Sequence, residues 1–441
     1  MVHLLTYLLV GCYFLLIRDH PLVFFIVTHS FWLFSFLLLT YAAAYGVSAD
    51  RYLVNPILSS QIVVVYLLAC MCARLLAGRL TSIRSLSSNE PEGDYLAKVF
   101  CILGLVFIPA RVAFGSESFW YAVSATFTQF YWLGLYLRFE RRPLNIFDPL
   151  LLVGIIFCIS VSIIDNRRAL LFEFALTFTL IYLRTSPHAF APARLIAAFL
   201  GFAYFSRFSD IFLYARIFIG RDRPTELLSF VVSSLASPSF LLAPFGASDP
   251  SHIAEALESY ISPYSNYRIA TFQGRTGIFE RATLLPHMDA VVGVLPQPSS
   301  VDWSEIVNTI LSVLPSLGQE KDTVLGDRLT WIAGLRPPGI VGHPLVTSAG
   351  EFFSMGGLHV LFIYVTLIFF LLFLELKLLM RLFGRQSVAI MILFNQAFYM
   401  MFTSTAISAT AVVIRQIPLL IAIYLLAKSM AGTERRNFAK T

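Results

Sequence analysis

Apolar residues in this chain run in long unbroken blocks, and the blocks recur along most of its length. Crossing a bilayer core takes about 20 apolar residues in one helix. Blocks that meet or approach that length cover 2–17, 21–47, 56–77, 96–115, 117–137, 146–164, 168–183, 193–219, 354–378, 386–404 and 408–428. The pattern predicts an all-α polytopic integral membrane protein with about eleven transmembrane helices, in a range of roughly ten to fourteen. One polar interruption is far longer than the rest. It divides the chain into N-terminal spans (1–219), a large loop (220–353) and C-terminal spans with a tail (354–441).

Within the large loop the periodicity shortens but stays helical. Thr225 to Leu242 is apolar yet rich in Ser, which suits a re-entrant or interfacial helix. Ser251 to Tyr260 opens on an N-cap residue and reads as a short helix. Gly277 to Val294 reads as another, interrupted at Pro286. Trp303, Ile306, Val307, Ile310, Leu314 and Leu317 fall on one side at spacings of 3 and 4. That is an amphipathic helix, lying on the membrane or covering the membrane domain. Prolines punctuate the segment, and no alternating run is long enough for a sheet. A mostly helical cap is expected.

Charge then sets orientation. Charged residues make up only 13% of the chain against 57% hydrophobic, far below the usual quarter of a soluble domain. One set of alternate connections holds Arg18, Arg74, Arg79, Arg84, Lys98, Arg138, Arg141, Arg142, Arg184, Arg194, Lys377, Arg381 and Arg385, together with the basic tail. Lys and Arg gather in cytoplasmic loops, so this set is cytoplasmic and the N-terminus and the large loop face out. The formal charge of +6 is therefore topological, and a nucleic-acid partner is not expected. The first 17 residues lack a basic leader and a small-residue cleavage site, so a retained helix is expected. Cys12, Cys70, Cys72, Cys101 and Cys158 all fall in apolar blocks and read as small buried hydrophobes, with no disulfide framework.

Several arginines depart from this scheme. Arg167 and Arg168 share a very short external turn, Arg207 and Arg216 lie in or at the end of the 193–219 block, and Arg415 lies inside the last one. Arginine in a membrane segment is expensive and tends to be paired or functional. Arg207 and Asp210, at i and i+3, can simply neutralise each other. Arginines converging on the outer side otherwise point to an anionic ligand, because the guanidinium fork fits phosphate. No phosphate-loop, nucleophile-elbow, metalloprotease or C-x-x-C signature is present. There is no D-x-D pair for a divalent metal. The end of the loop gathers Arg336, His343 and Glu351 just before the next block, making it the candidate site. Glu351 also suits capping of a helix beginning near Phe352, while His252 and His287 read as structural.

Some of these residues resemble a known family. GHPLVTSAGEFFSMGGLHVLF, with Ser348, Gly350, Glu351, Phe353, Met355, Gly356 and Gly357, resembles the patch after the large periplasmic loop of Wzy-type oligosaccharide repeat-unit polymerases. DNRRALLFEFALTFTLIYL, from Asp165 to Leu183, and GIFERATLLPHMDAVVGVLPQP are similar to further patches of that family. The related O-antigen ligases carry a His about fourteen residues before such a Gly, as His343 stands to Gly357 here; the asparagine that follows it there is Pro344.

The resemblance implies a GT-C-like membrane glycosyltransferase that polymerises undecaprenyl-diphosphate-linked repeat units on the periplasmic face of the bacterial inner membrane. Donor and acceptor are both lipid-linked oligosaccharides, no metal or cofactor is needed, and a chain-length regulator protein is an implied partner. Arg167, Arg168, Arg207, Arg216 and Arg415 would hold the diphosphate. Arg336 would assist its departure, and His343 or Glu351 would take the acceptor proton. A ligase using the same donor and a lipid-linked sugar transporter or flippase are the competing expectations.

Overall fold

The computed structural model describes residues 53–79, 94–114, 119–140, 145, 147–164, 223–237, 285–314, 324–334, 338, 346–383, 401 and 405–438, with single residues between 174 and 204. No strand occurs among the described residues. The expected spans 2–17 and 21–47 lie outside them, as do nearly all of 168–183, 193–219 and 386–404 and the whole Ser251–Tyr260 helix. The chain divides into two compact units: Met1–Ser88, Glu255–Arg275 and Phe279–Leu419 form the first, and Asn89–Ala254, Thr276–Ile278 and Leu420–Thr441 the second.

Helices are numbered in chain order. α1 is Pro56–Arg79, α2 Asp94–Ala113, α3 Phe119–Phe139, α4 Pro149–Ile164 and α5 Pro224–Leu235. The short helices α6 (Leu285–Val292), α7 (Trp303–Leu311), α8 (Leu325–Ile332) and α9 (Thr347–Ser354) follow, then α10 (Gly357–Phe383). The last are α11 (Ala406–Ala411) and α12 (Ile417–Phe438), joined by a π turn over Val412–Gln416. Pro56–Gly78, Gly357–Leu379 and Ala406–Ser429 are long and apolar enough to cross a bilayer, which marks this as a membrane protein. Pro149–Ser162 is apolar but shorter.

Of the helix expected over Gly277 to Val294, the described part is α6, Leu285–Val292, which contains Pro286; residues 277–284 lie outside the described residues. One expectation needs correcting. The span expected from residue 354 instead begins at Gly357, after a separate helix, α9. The break needs a glycine: Gly357 has φ +83°, a left-handed conformation that a Cβ strains.

In the first unit α1 and α10 pack side by side and run the same way. Tyr66 meets Phe369 edge-on with centroids 5.8 Å apart, Thr366 Oγ1 donates to the Ala69 carbonyl at 3.5 Å, and Arg74 lies over Phe373 at 5.8 Å. Further along, Lys377 Nζ donates to the Ala77 carbonyl. The partners advance together along both helices, which fixes a parallel pair. α11 starts at the same end, since Glu351, just ahead of α10, accepts the Ala406 N–H, and Tyr364 reaches Thr410 at 3.3 Å.

In the second unit α2 and α3 approach at backbone contact. A Cβ on Gly104 would lie 2.2 Å from the Tyr131 nitrogen, and one on Gly134 would lie 2.5 Å from the Cys101 nitrogen. Small residues at such crossings let two backbones approach closely. Phe100 then stacks between Phe130 and Tyr424, at 5.1 and 5.9 Å.

Candidate functional site

Of the stretch singled out in the sequence, Arg336–Gly357, the continuous described part, 346–357, lies where α1, α10 and α11 begin, within the first unit. α9 carries most of it, and each residue has a physical task there. Ser348 is fully buried and donates to the Met401 carbonyl at 2.5 Å, a carbonyl that Tyr66 also reaches at 3.1 Å. A Cβ on Gly350 would press to 2.8 Å from a Val346 methyl carbon and 3.0 Å from Met288, so only glycine lets α9 close on α6. Phe352 packs on Tyr364 with centroids 4.5 Å apart. Gly356 brings the backbone against Val301, whose Cα would meet a Cβ at 3.1 Å. Thr347, at the start of α9, holds φ 66°, an uncommon strain for a β-branched residue and one that tends to mark functional segments.

Glu351 has no exposed surface. Its Oε2 accepts the Ala406 N–H at 2.6 Å, so the carboxyl serves the N-terminus of α11 and not a helix beginning near Phe352. Its Oε1 is buried without a hydrogen bond of normal geometry. Burial pushes its pKa from the ordinary 4.5 up to about 8; the Ala406 and Gly326 N–H groups oppose this, and Asp327 and Glu305 add to it. Glu351 therefore carries its proton through most of the neutral range.

Around it is a polar cluster drawn from α7 and α8. Glu305, Thr309, Asp327 and Thr330 are all buried. Arg328 Nη2 bonds Glu305 Oε2 at 2.5 Å, tying α8 to α7. Thr309 Oγ1 and Arg328 Nε are buried without hydrogen-bond partners. A second carboxylate, Asp289 on α6, is fully buried at the start of α1. It accepts the Asn55 N–H at 3.1 Å, the Ser59 hydroxyl at 2.5 Å and the Val54 N–H. Two carboxyl groups from the loop thus accept backbone N–H groups at two helix N-termini.

Of the other residues expected in the site, Arg415 is described. It lies in the π turn, half-buried, and its Nη1 donates to the Val313 carbonyl at 3.1 Å, just past α7. His343, Arg336, Arg167, Arg168, Arg207 and Arg216 lie outside the described residues. Cys70, Cys101 and Cys158 are buried free thiols, and Cys72 is partly buried. Among the described residues no group of His, Cys, Asp or Glu is arranged to hold a metal.

Sequence reasoning missed Asp289, Glu305, Thr309, Asp327 and Arg328. Asp289 had a usable signal, being a lone carboxylate in the apolar run LPHMDAVV. The others had none, because their partners lie on different short helices. Comparison with family models, curated proteins and solved structures gives no match.

Proposed function

We propose that this protein is a GT-C-like membrane glycosyltransferase that polymerises undecaprenyl-diphosphate-linked oligosaccharide repeat units at the periplasmic face of the inner membrane. The observation that carries the reading is the buried polar cluster of α7, α8 and α9 at the common start of three membrane-length helices. A lipid-linked sugar needs this arrangement, with polar chemistry at the level where its polar head leaves the bilayer. The shared direction of α1, α10 and α11 also requires an odd number of crossings between successive members. The eleven-span reading puts five and one there, by their positions in sequence.

In the proposed reaction an acceptor hydroxyl attacks the anomeric carbon of the donor chain. The new glycosidic C–O bond forms as the bond to the diphosphate breaks, and the hydroxyl proton passes to a base. His343 takes that proton, because an imidazole titrates near neutrality. Glu351, enclosed and protonated near pH 7, instead holds α9 to α11. Arg167, Arg168, Arg207, Arg216 and Arg336 meet the diphosphate charge. Arg415, whose Nη1 donates to the Val313 carbonyl, would join them. A chain-length regulator is the expected protein partner.

The test is reconstitution of purified protein with defined lipid-linked repeat units, without nucleotide sugar or ATP. Lengthened lipid-linked glycan supports the polymerase. Glycan found only on a different acceptor replaces it with a ligase, and movement across the bilayer without extension replaces it with a transporter. His343→Ala should lower turnover by roughly 10²–10⁴-fold, the usual worth of a general base.

A further inference from the structure

Helix α7 has its polarity inside out. Glu305, Thr309 and Val313 are buried against the protein, whereas Trp303, Val307, Ile310, Leu311 and Leu314 are each between 42% and 70% exposed. At about 100° per residue, the exposed apolar side chains fill one arc roughly 100° wide. Ser304 and Asn308 project from the next arc and are also exposed. Glu305, Thr309 and Val313 fill the arc after that, on the far side from the apolar stripe. A solvated surface helix has two faces, one dry and one wet. This one has three: protein, water and an apolar stripe that none of the described residues covers.

What occupies the stripe follows from how the helix is anchored. At its start the Asp302 N–H donates to the Met355 carbonyl at 2.8 Å, two residues before the membrane-length α10 begins. At its end the Val313 carbonyl is held by Arg415, inside the apolar Ala406–Ser429 helix. Both ends of a helix roughly 14 Å long are therefore pinned to helices that cross the bilayer. Its exposed stripe is therefore held close to the start of α10 and to the Ala406–Ser429 helix. The Asp302 cap, which accepts the Glu305 N–H at 3.0 Å, keeps the helix formed at that position without help from the stripe.

We propose that α7 is an interfacial helix lying in the plane of the membrane, with Trp303, Val307, Ile310, Leu311 and Leu314 embedded among lipid acyl chains near the headgroups. Ser304 and Asn308 face water, and the Glu305–Thr309 side roofs the polar cluster. The partner surface is the lipid itself, and the inference does not depend on which reaction the protein performs. A helix with its outer side in lipid and its inner side polar forms a boundary wall between the bilayer and the cluster.

Trp303 is a built-in probe. The full-length protein is reconstituted in phosphatidylcholine vesicles carrying bromines at either the shallow 6,7 or the deep 11,12 acyl positions. The Trp303 signal is the emission difference between the parent and Trp303→Phe. Shallow bromines should quench that signal roughly twofold more than deep ones, as expected for burial at the headgroup–acyl boundary. A Val307→Lys variant should lose about half of the quenching while keeping its detergent melting temperature, since Val307 projects away from the protein. Ile310→Trp in the Trp303→Phe background is a second probe in the same stripe. Quenching by aqueous acrylamide without dependence on bromine would overturn the proposal. So would a bromine-insensitive signal that appears only in cross-linked oligomers, because a second copy would then cover the stripe.

Discussion

Glu351 shows how one side chain sets a pH response. The unfolded chain ionises it near 4.5, while the folded protein holds its proton up to about pH 8. Below 4.5 both states are protonated and the residue is neutral in the balance. Between those values only the folded state keeps the proton, so stability falls as pH rises, and the penalty is complete above about 8. Each pH unit between the two values is worth about 1.4 kcal/mol, so the full penalty is on the order of several kcal/mol. Glu351→Gln keeps an oxygen for the Ala406 N–H and removes the charge. Its melting temperature in detergent should gain on the parent between pH 5 and pH 9; parallel curves would show that the carboxyl is not held protonated. Glu351→Ala should lose stability at every pH. Asp289 has no such substitute. Its carboxylate accepts three donors at the start of α1, and Asp289→Ala should cost about 3 kcal/mol, read as a lower melting temperature.

At the level of elements, glycine positions decide which helices meet. Gly134→Leu would force a side chain into the Ala97 and Cys101 backbone and should abolish folding of α2 against α3, seen as loss of monodisperse protein. A Cβ at Gly357 would meet only the His359 ring, at an ordinary 3.7 Å, so in Gly357→Ala only the left-handed backbone is strained, and a cost of about 1 kcal/mol is expected. The apolar blocks at 56–77, 96–115, 117–137 and 146–164 are legible in the sequence because twenty or so apolar residues admit few other structures, and a helix covers each. The short helices are harder to read. The α9–α10 break is hidden inside one apolar run, where only the left-handed Gly357 separates the two. The spacing in α7 marks it as amphipathic, yet its buried side is the polar one. The stretch 347–357 is legible as a candidate site, but Ser348 and Glu351 hold main-chain groups of segments more than fifty residues away, which no local pattern encodes.

For the whole molecule, the common direction of α1, α10 and α11 makes a topological prediction. Cysteines placed at Ser300, beside the start of α10, and at Ser429, at the far end of Ala406–Ser429, should be modified by membrane-impermeant maleimide from opposite sides of sealed vesicles. Labelling of both from one side would break the parallel arrangement and the span parity with it. The basic tail beyond Ser429 predicts that this end faces the cytoplasm.

The pairing of α1 with α10 also has a consequence in time. About 300 residues separate their first residues. At the usual 5–20 residues per second of synthesis, α1 waits roughly 15–60 s in the bilayer before its neighbour emerges. During that interval Tyr66, Ser59 and the start of α1 lack the partners that Phe369, Met401 and Asp289 later supply. Until the C-terminal third has been made, α1 stands in the bilayer without α10 beside it, open to proteolysis and to insertion chaperones.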